Sequence, residues 1–131
     1  MPESIIADTS SLIALERIKL LPILCEIYSE LVVPEAVINE FGNLSLPCCS
    51  IRKVESTLIK LLKTNLNLGK GESEVIALAH QTGLVVIIDD LKARNAAENM
   101  GLKVTGTIGI LLKAEKLKLI DSAYNKAEEL K

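Results

Sequence analysis

The sequence predicts an α/β fold: a mainly parallel sheet of four or five strands, covered on both faces by helices. Two observations carry this. Short β-branched apolar runs alternate with longer apolar segments of helical period, with Gly, Pro, Asn and Asp at the junctions. Connections this short between strands and helices imply right-handed crossovers, and hence parallel neighbours. At 131 residues, 49% hydrophobic and 24% charged, the chain suits a single domain over 1–131 with one core, neither disordered segment nor polar tail.

Ser4 to Ala7 reads as a first short strand, and Asp8-Thr9-Ser10-Ser11 supplies capping chemistry for a helix carrying Leu12, Leu15 and Ile18. Leu31-Val32-Val33 is a second strand. Pro34 suits the first turn of the next helix, which runs to about Gly42. Asn43 to Ser50 reads as a loop, after which Ile51, Val54, Leu58, Leu61 and Leu62 recur at helical spacing. Leu66 to Lys70 links to a helix over Glu72 to Thr82, closed by Gly83, and Leu84 to Ile88 is the clearest buried strand. Ala93, Ala96, Ala97 and Met100 give a small-residue helical face ending at Gly101. Lys103-Val104-Thr105 is a fourth strand, Gly106-Thr107 opens a helix through Lys116, and Asp121 caps a last one.

Composition excludes several classes of function. A net charge of -2 announces no partner by long-range attraction, and 2% aromatic residues leave no stacking platform for an RRM or OB-type reader of nucleic acid. Cys25, Cys48 and Cys49 form neither an even disulfide set nor a zinc pattern with the lone His80, and Cys48-Cys49 read as small apolar loop residues. No basic stretch followed by an apolar one opens the sequence, and no apolar run reaches membrane-spanning length. The expectation is a soluble protein of a reducing cytoplasm, without a membrane partner.

Ligands of open parallel sheets bind beyond the carboxyl ends of the strands. Asp8 follows the first predicted strand and Asp89-Asp90 follow the clearest one, so these acids share an edge. Glu40 shares a helix meridian with Ala36 and Val37, and Glu72 with Val75, Ile76 and Ala79, whereas Glu74 is rotated off that stripe and ranks lower. Crowded carboxylates repel one another unless a hard cation neutralises them. Oxygen donors without His or Cys suit Mg²⁺ or Mn²⁺, and such ions polarise a phosphodiester and activate water, which points to hydrolysis of a nucleic-acid backbone. Each acid alone has a plainer reading: Asp8 as an N-cap, Glu40 as a solvated face, Glu72 as a charge at a helix N-terminus. The combination is more specific, since capping gives no reason for acids at two strand ends and on two apolar helix meridians. Gly69-Lys70-Gly71-Glu72-Ser73 looks like part of a phosphate loop, but Thr64 stands five before Gly69 and no Ser or Thr follows Lys70.

The run from Ile5 to Leu15 resembles the opening of PIN domains, where a strand ends in an Asp followed by Thr or Ser. Val33 to Glu40 resembles the second motif of that family, and Gly69 to Ala79 and Val86 to Arg94 the third and fourth. With Val104 to Gly109, these segments are similar to an uncharacterised prokaryotic branch described as nucleic-acid-binding. The sequence departs from the commonest VapC-type toxins in carrying Glu72 where Asp is usual, and Asp89 and Asp90 where one acid is usual. The resemblance implies a three-layer αβα sandwich and a Mg²⁺- or Mn²⁺-dependent ribonuclease acting on RNA, often a homodimer and sometimes a toxin paired with an antitoxin. It implies Asp8, Glu40, Glu72 and Asp90 as the catalytic and metal-binding acids. Asp89 is a further ligand candidate, ranked below Asp90 because Asp90 lies eighteen residues after Glu72. Ser10 and Thr107 would position water through their hydroxyls, and Lys92 or Arg94 would meet phosphate. The alternative is a catalytically silent PIN fold that binds RNA or another protein.

Overall fold

The computed structural model describes residues 3–131. The elements run β1 (Ser4–Ala7), α1 (Thr9–Arg17), α2 (Ile23–Ile27), β2 (Glu30–Pro34), α3 (Glu35–Phe41), β3 (Cys49–Arg52), α4 (Thr57–Asn65), α5 (Lys70–Thr82), β4 (Val85–Ile87), α6 (Leu91–Asn99), β5 (Val104–Thr105), α7 (Thr107–Lys116) and α8 (Ala123–Glu129). The five strands pair in the order β3-β2-β1-β4-β5, all parallel. Helices flank the sheet to give the three-layer αβα arrangement.

The sheet forms where the sequence is most uniformly apolar. Ile5 and Ile6 of β1, Leu31 to Val33 of β2, and Val86 and Ile87 of β4 have no solvent exposure, as strands covered on both faces require. Helix α5 crosses β1, β2 and β4, and five consecutive residues, Val75 to Ala79, are all buried. A helix apolar around most of its circumference belongs inside. Hydrophobic burial of this extent, at roughly 25 cal/mol per Å² of apolar surface, is the main source of stability.

Topology fixes where a site can form. The chain steps from β1 to β2 to β3 in one direction, then returns past β1 to β4 and β5 on the other side. The reversal lies between β1 and β4, and at such a switch point the diverging connections open a crevice at the carboxyl ends of the strands. Asp8 N donates to Ile87 O at 3.2 Å, carrying the β1–β4 pairing to the mouth of that crevice.

Three sequence expectations need correction. The segment around Cys49–Arg52, read as loop and helix start, is an edge strand paired only with β2, and α4 begins later, at Thr57, capped by Ser56 Oγ accepting from Leu58 N at 3.1 Å. An edge strand with half-exposed side chains lacks the apolar run that marked the others. The cap of the last helix is Ser122, not Asp121, with its Oγ accepting from Asn125 N at 3.1 Å. Cys48 is not an unpaired loop residue: it is disulfide-bonded to Cys25, with 5.6 Å between Cα atoms. Cys25 sits on α2, just ahead of β2, and Cys48 just ahead of β3, so pairing of those two strands brings the cysteines together across 23 residues of chain. Cys49 is free, and burial pushes its thiol pKa up. None of the described helices is long and apolar enough to cross a membrane.

Candidate active site

Asp8 is the floor of the site. It is the N-cap of α1, and its Oδ1 accepts from Ser11 N at 2.9 Å. The side chain is 2% exposed, yet Oδ2 has no hydrogen-bond partner. The capping and functional readings are therefore both present in one carboxylate, one oxygen for each. Burial, with a smaller contribution from the charges of Asp89 and Glu72, raises its pKa to about 6 against the lowering effect of the Ser11 hydrogen bonds.

Above Asp8 lies a cleft of about 230 Å³ lined by Asp8, Thr9, Ser10, Glu40, Gly69 and Glu72. Glu40, near the end of α3, is held by Thr9, whose hydroxyl donates to Oε1 at 2.7 Å. Glu72 sits in the first turn of α5 and reaches back so that Oε1 accepts from Gly69 N at 3.0 Å, which closes the N-terminus of that helix and fixes the carboxylate at the rim. Glu74 has a different task. It is 7% exposed and accepts from Ala36 N at 3.2 Å. Helix α3 has no side-chain cap of its own, because Pro34 occupies that position. Glu74 supplies the missing acceptor from a neighbouring helix.

Asp89 and Asp90, both exposed, take different hydrogen-bond partners. Asp90 is the exposed N-cap of α6, with Oδ2 accepting from Ala93 N at 2.9 Å. Asp89 is the acid whose charge acts on Asp8. Its Oδ1 accepts from Thr107 N at 2.7 Å and its Oδ2 from the Thr107 hydroxyl, so the buried Thr107 anchors Asp89. Spacing along the chain could not separate neighbours of which one bends back to cap α6 and the other crosses to the start of α7. Arg94 Nη1 donates to Ile88 O at 3.4 Å and braces the end of β4, whereas Lys92 is exposed and reaches Asn67 O at 3.5 Å. Ser10 lies on the cleft wall.

Three residues of the site escaped sequence reasoning. Thr9 holds Glu40. Gly71 lies inside α5 where a Cβ would collide with Glu40 Oε1, so the absence of a side chain makes room for that carboxylate. Gly106 plays the same part for Asp89, since a Cβ there would stand 2.9 Å from Oδ1 and 3.0 Å from Arg94 Nη1. A glycine in the first turn of an otherwise apolar helix was the available signal.

The donors fit a hard cation. Every candidate group is an oxygen, and Asp8 Oδ2 is buried, acidic and unpartnered. Among the described residues, no three His, Cys, Asp or Glu groups converge closely enough to enclose an ion.

An acid-lined crevice at the switch point of a parallel αβα sheet fits the class of nuclease-type folds. The chain belongs to one family of that class: the PIN domain family model DUF3368 matches residues 4–131. PIN domains are generally nucleases and typically use divalent metals. No curated protein matches the chain.

Proposed function

We propose that the protein is a metal-dependent endoribonuclease, a hydrolase of RNA phosphodiester bonds working at the cleft above Asp8. The observation that carries this reading is Asp8 Oδ2, a buried carboxylate oxygen without a partner, on a residue that lines a cleft walled by two further acids. Leaving a buried acceptor unpaired costs about 1–3 kcal/mol, and more when it is charged, so a fold that keeps one has a use for it. Asp8, Glu40, Glu72 and Asp89 are the groups that would hold Mg²⁺ or Mn²⁺, and Asp90 caps α6 behind them. Once bound, the ion would polarise the phosphodiester and make water a better nucleophile at neutral pH.

The chain's own residues prepare the site. Thr9 fixes Glu40, Gly69 fixes Glu72 and Thr107 fixes Asp89, so none of these carboxylates has to be ordered when substrate arrives. Lys92, exposed in the first turn of α6, is placed to meet a phosphate, and Ser10 offers a hydroxyl at the cleft wall. Homodimer formation, a toxin role and an antitoxin partner are finer parts of the same reading, tested by sedimentation and by growth arrest on expression.

A silent PIN module that binds RNA or protein is the second reading. The engagement of Glu40 by Thr9 and of Glu72 by Gly69 favours it, since both carboxylates already have partners. Cleavage of a labelled mixed-sequence RNA with Mn²⁺, Mg²⁺ or EDTA separates the two. Metal-dependent cutting that disappears in Asp8→Asn supports the nuclease, and folded protein that cuts under no metal supports the module.

A further inference from the structure

A second cleft, of about 370 Å³, lies along α6 and shares no lining residue with the acidic one. Leu66, Ala96 and Met100 form its walls, and Lys92, Asn95 and Asn99 its polar edge. The last three fall at i, i+3 and i+7 on α6, so they form one stripe along the helix. Both asparagines are exposed, which leaves their carboxamides open to whatever enters. Lys92 stands at the end of the stripe nearest Asp90, and its Nζ reaches across to Asn67 O at 3.5 Å.

We propose that this cleft takes an unstacked adenine of the same single-stranded RNA whose backbone lies at the acidic cleft. The inference rests on the nuclease reading and adds a base preference to it. The volume suits a small flat ligand. The walls are aliphatic and a thioether, and sulfur packs favourably on aromatic rings. A carboxamide presents an N–H donor beside a carbonyl acceptor, the complement of N7 and the N6 amino group of adenine, which asparagine reads in bidentate fashion. Guanine presents two acceptors on that edge and fits less well.

Position supports the link between the clefts. Helix α6 starts at the N-cap Asp90, next to Asp89. At a rise of about 1.5 Å per residue, Asn95 lies about 7.5 Å and Asn99 about 13.5 Å along the axis from Asp90. Lys92 stands between the acids and the asparagines, where an ammonium is needed to hold the phosphate that joins a bound base to the bond being cut.

The test uses the full chain carrying Asp8→Asn, so that binding is read without cleavage. Fluorescence anisotropy compares three short RNAs: one adenine in a uridine background, uridine throughout, and an abasic nucleotide at the adenine position. The adenine RNA should bind about tenfold tighter than the other two, as expected for one bidentate contact. Adding Asn95→Ala with Asn99→Ala should erase that preference while leaving the circular dichroism spectrum unchanged. Lys92→Ala should instead weaken all three equally and flatten the salt dependence. Equal affinity for the three RNAs, a preference that survives the double asparagine variant, or no RNA binding would overturn the inference. Failure of the nuclease reading appears separately, as absence of cutting by the unmodified protein.

Discussion

Replacing Asp8 by Asn should make the metal-free protein more stable while removing its activity, and the size of the gain follows from the structure. Asp8 has an ordinary pKa of 3.8 in the unfolded chain and about 6 in the fold. The native state therefore holds this proton more tightly than the unfolded state. The stability it contributes is complete below pH 3.8, declines as pH rises through about 6, and is absent above that. At about 1.36 kcal/mol per pKa unit, the ionised carboxylate costs the fold about 3 kcal/mol at pH 7.5. Asparagine caps helices as well as aspartate does, so the bond to Ser11 N survives. Losing a negative charge at the start of α1 returns up to about 1 kcal/mol of the gain. The net is about 2 kcal/mol, or a rise in Tm of about 7 °C for a domain of this size. Calorimetric melts in EDTA at pH 7.5 and pH 4 read both parts: the variant should lead at pH 7.5, and the gap should close at pH 4. Mg²⁺ should raise the Tm of the unmodified protein and leave that of the variant nearly unmoved. A variant no more stable at pH 7.5, or a gap that does not change with pH, would refute the reasoning.

Asp89→Asn should reduce RNA cleavage by at least a hundredfold, whereas Asp90→Asn, which keeps the cap on Ala93 N, should stay within about threefold of the unmodified rate; single-turnover kinetics on one RNA decide between them. Gly71→Ala should improve helix propensity by up to about 1 kcal/mol yet cut activity more than tenfold, because the new Cβ takes the place of Glu40 Oε1; parallel melts and cleavage assays would show the two quantities moving apart. Opening the Cys25–Cys48 link, by reductant or by Cys25→Ser with Cys48→Ser, should cost about 3 kcal/mol for a loop of this length, read as a lower urea midpoint, and intact mass before and after reduction would report the bond itself.

The parts of the fold that were legible in the sequence are those buried on both sides. The strand at Leu84 to Ile88 and the helix closed by Gly83 stand close to where periodicity places them, because a buried element must be apolar throughout. Edge strand β3 and the short α2 were not legible, since a half-exposed strand and a five-residue helix leave too little pattern to read. At the site, strand-end acids were visible as a class, but the division between Asp89 and Asp90 depends on Thr107, which follows Asp89 by 18 positions. Glu74 illustrates the same limit. Periodicity places it off the apolar stripe, yet it is buried, and its service to the uncapped α3 depends on packing between α3 and α5.

The switch point has a consequence for the order in which the protein becomes competent. Asp8 emerges early in synthesis, but the partner strand that carries its backbone pairing, β4, and the threonine that steadies Asp89 are made only after most of the chain. A growing chain holding β1, β2 and α3 has Asp8 and Glu40 and nothing to close over them. The arrangement around Asp8 is finished only when β4 takes its place beside β1 and Thr107 reaches Asp89, so a partly made chain holds some of these carboxylates without the finished site.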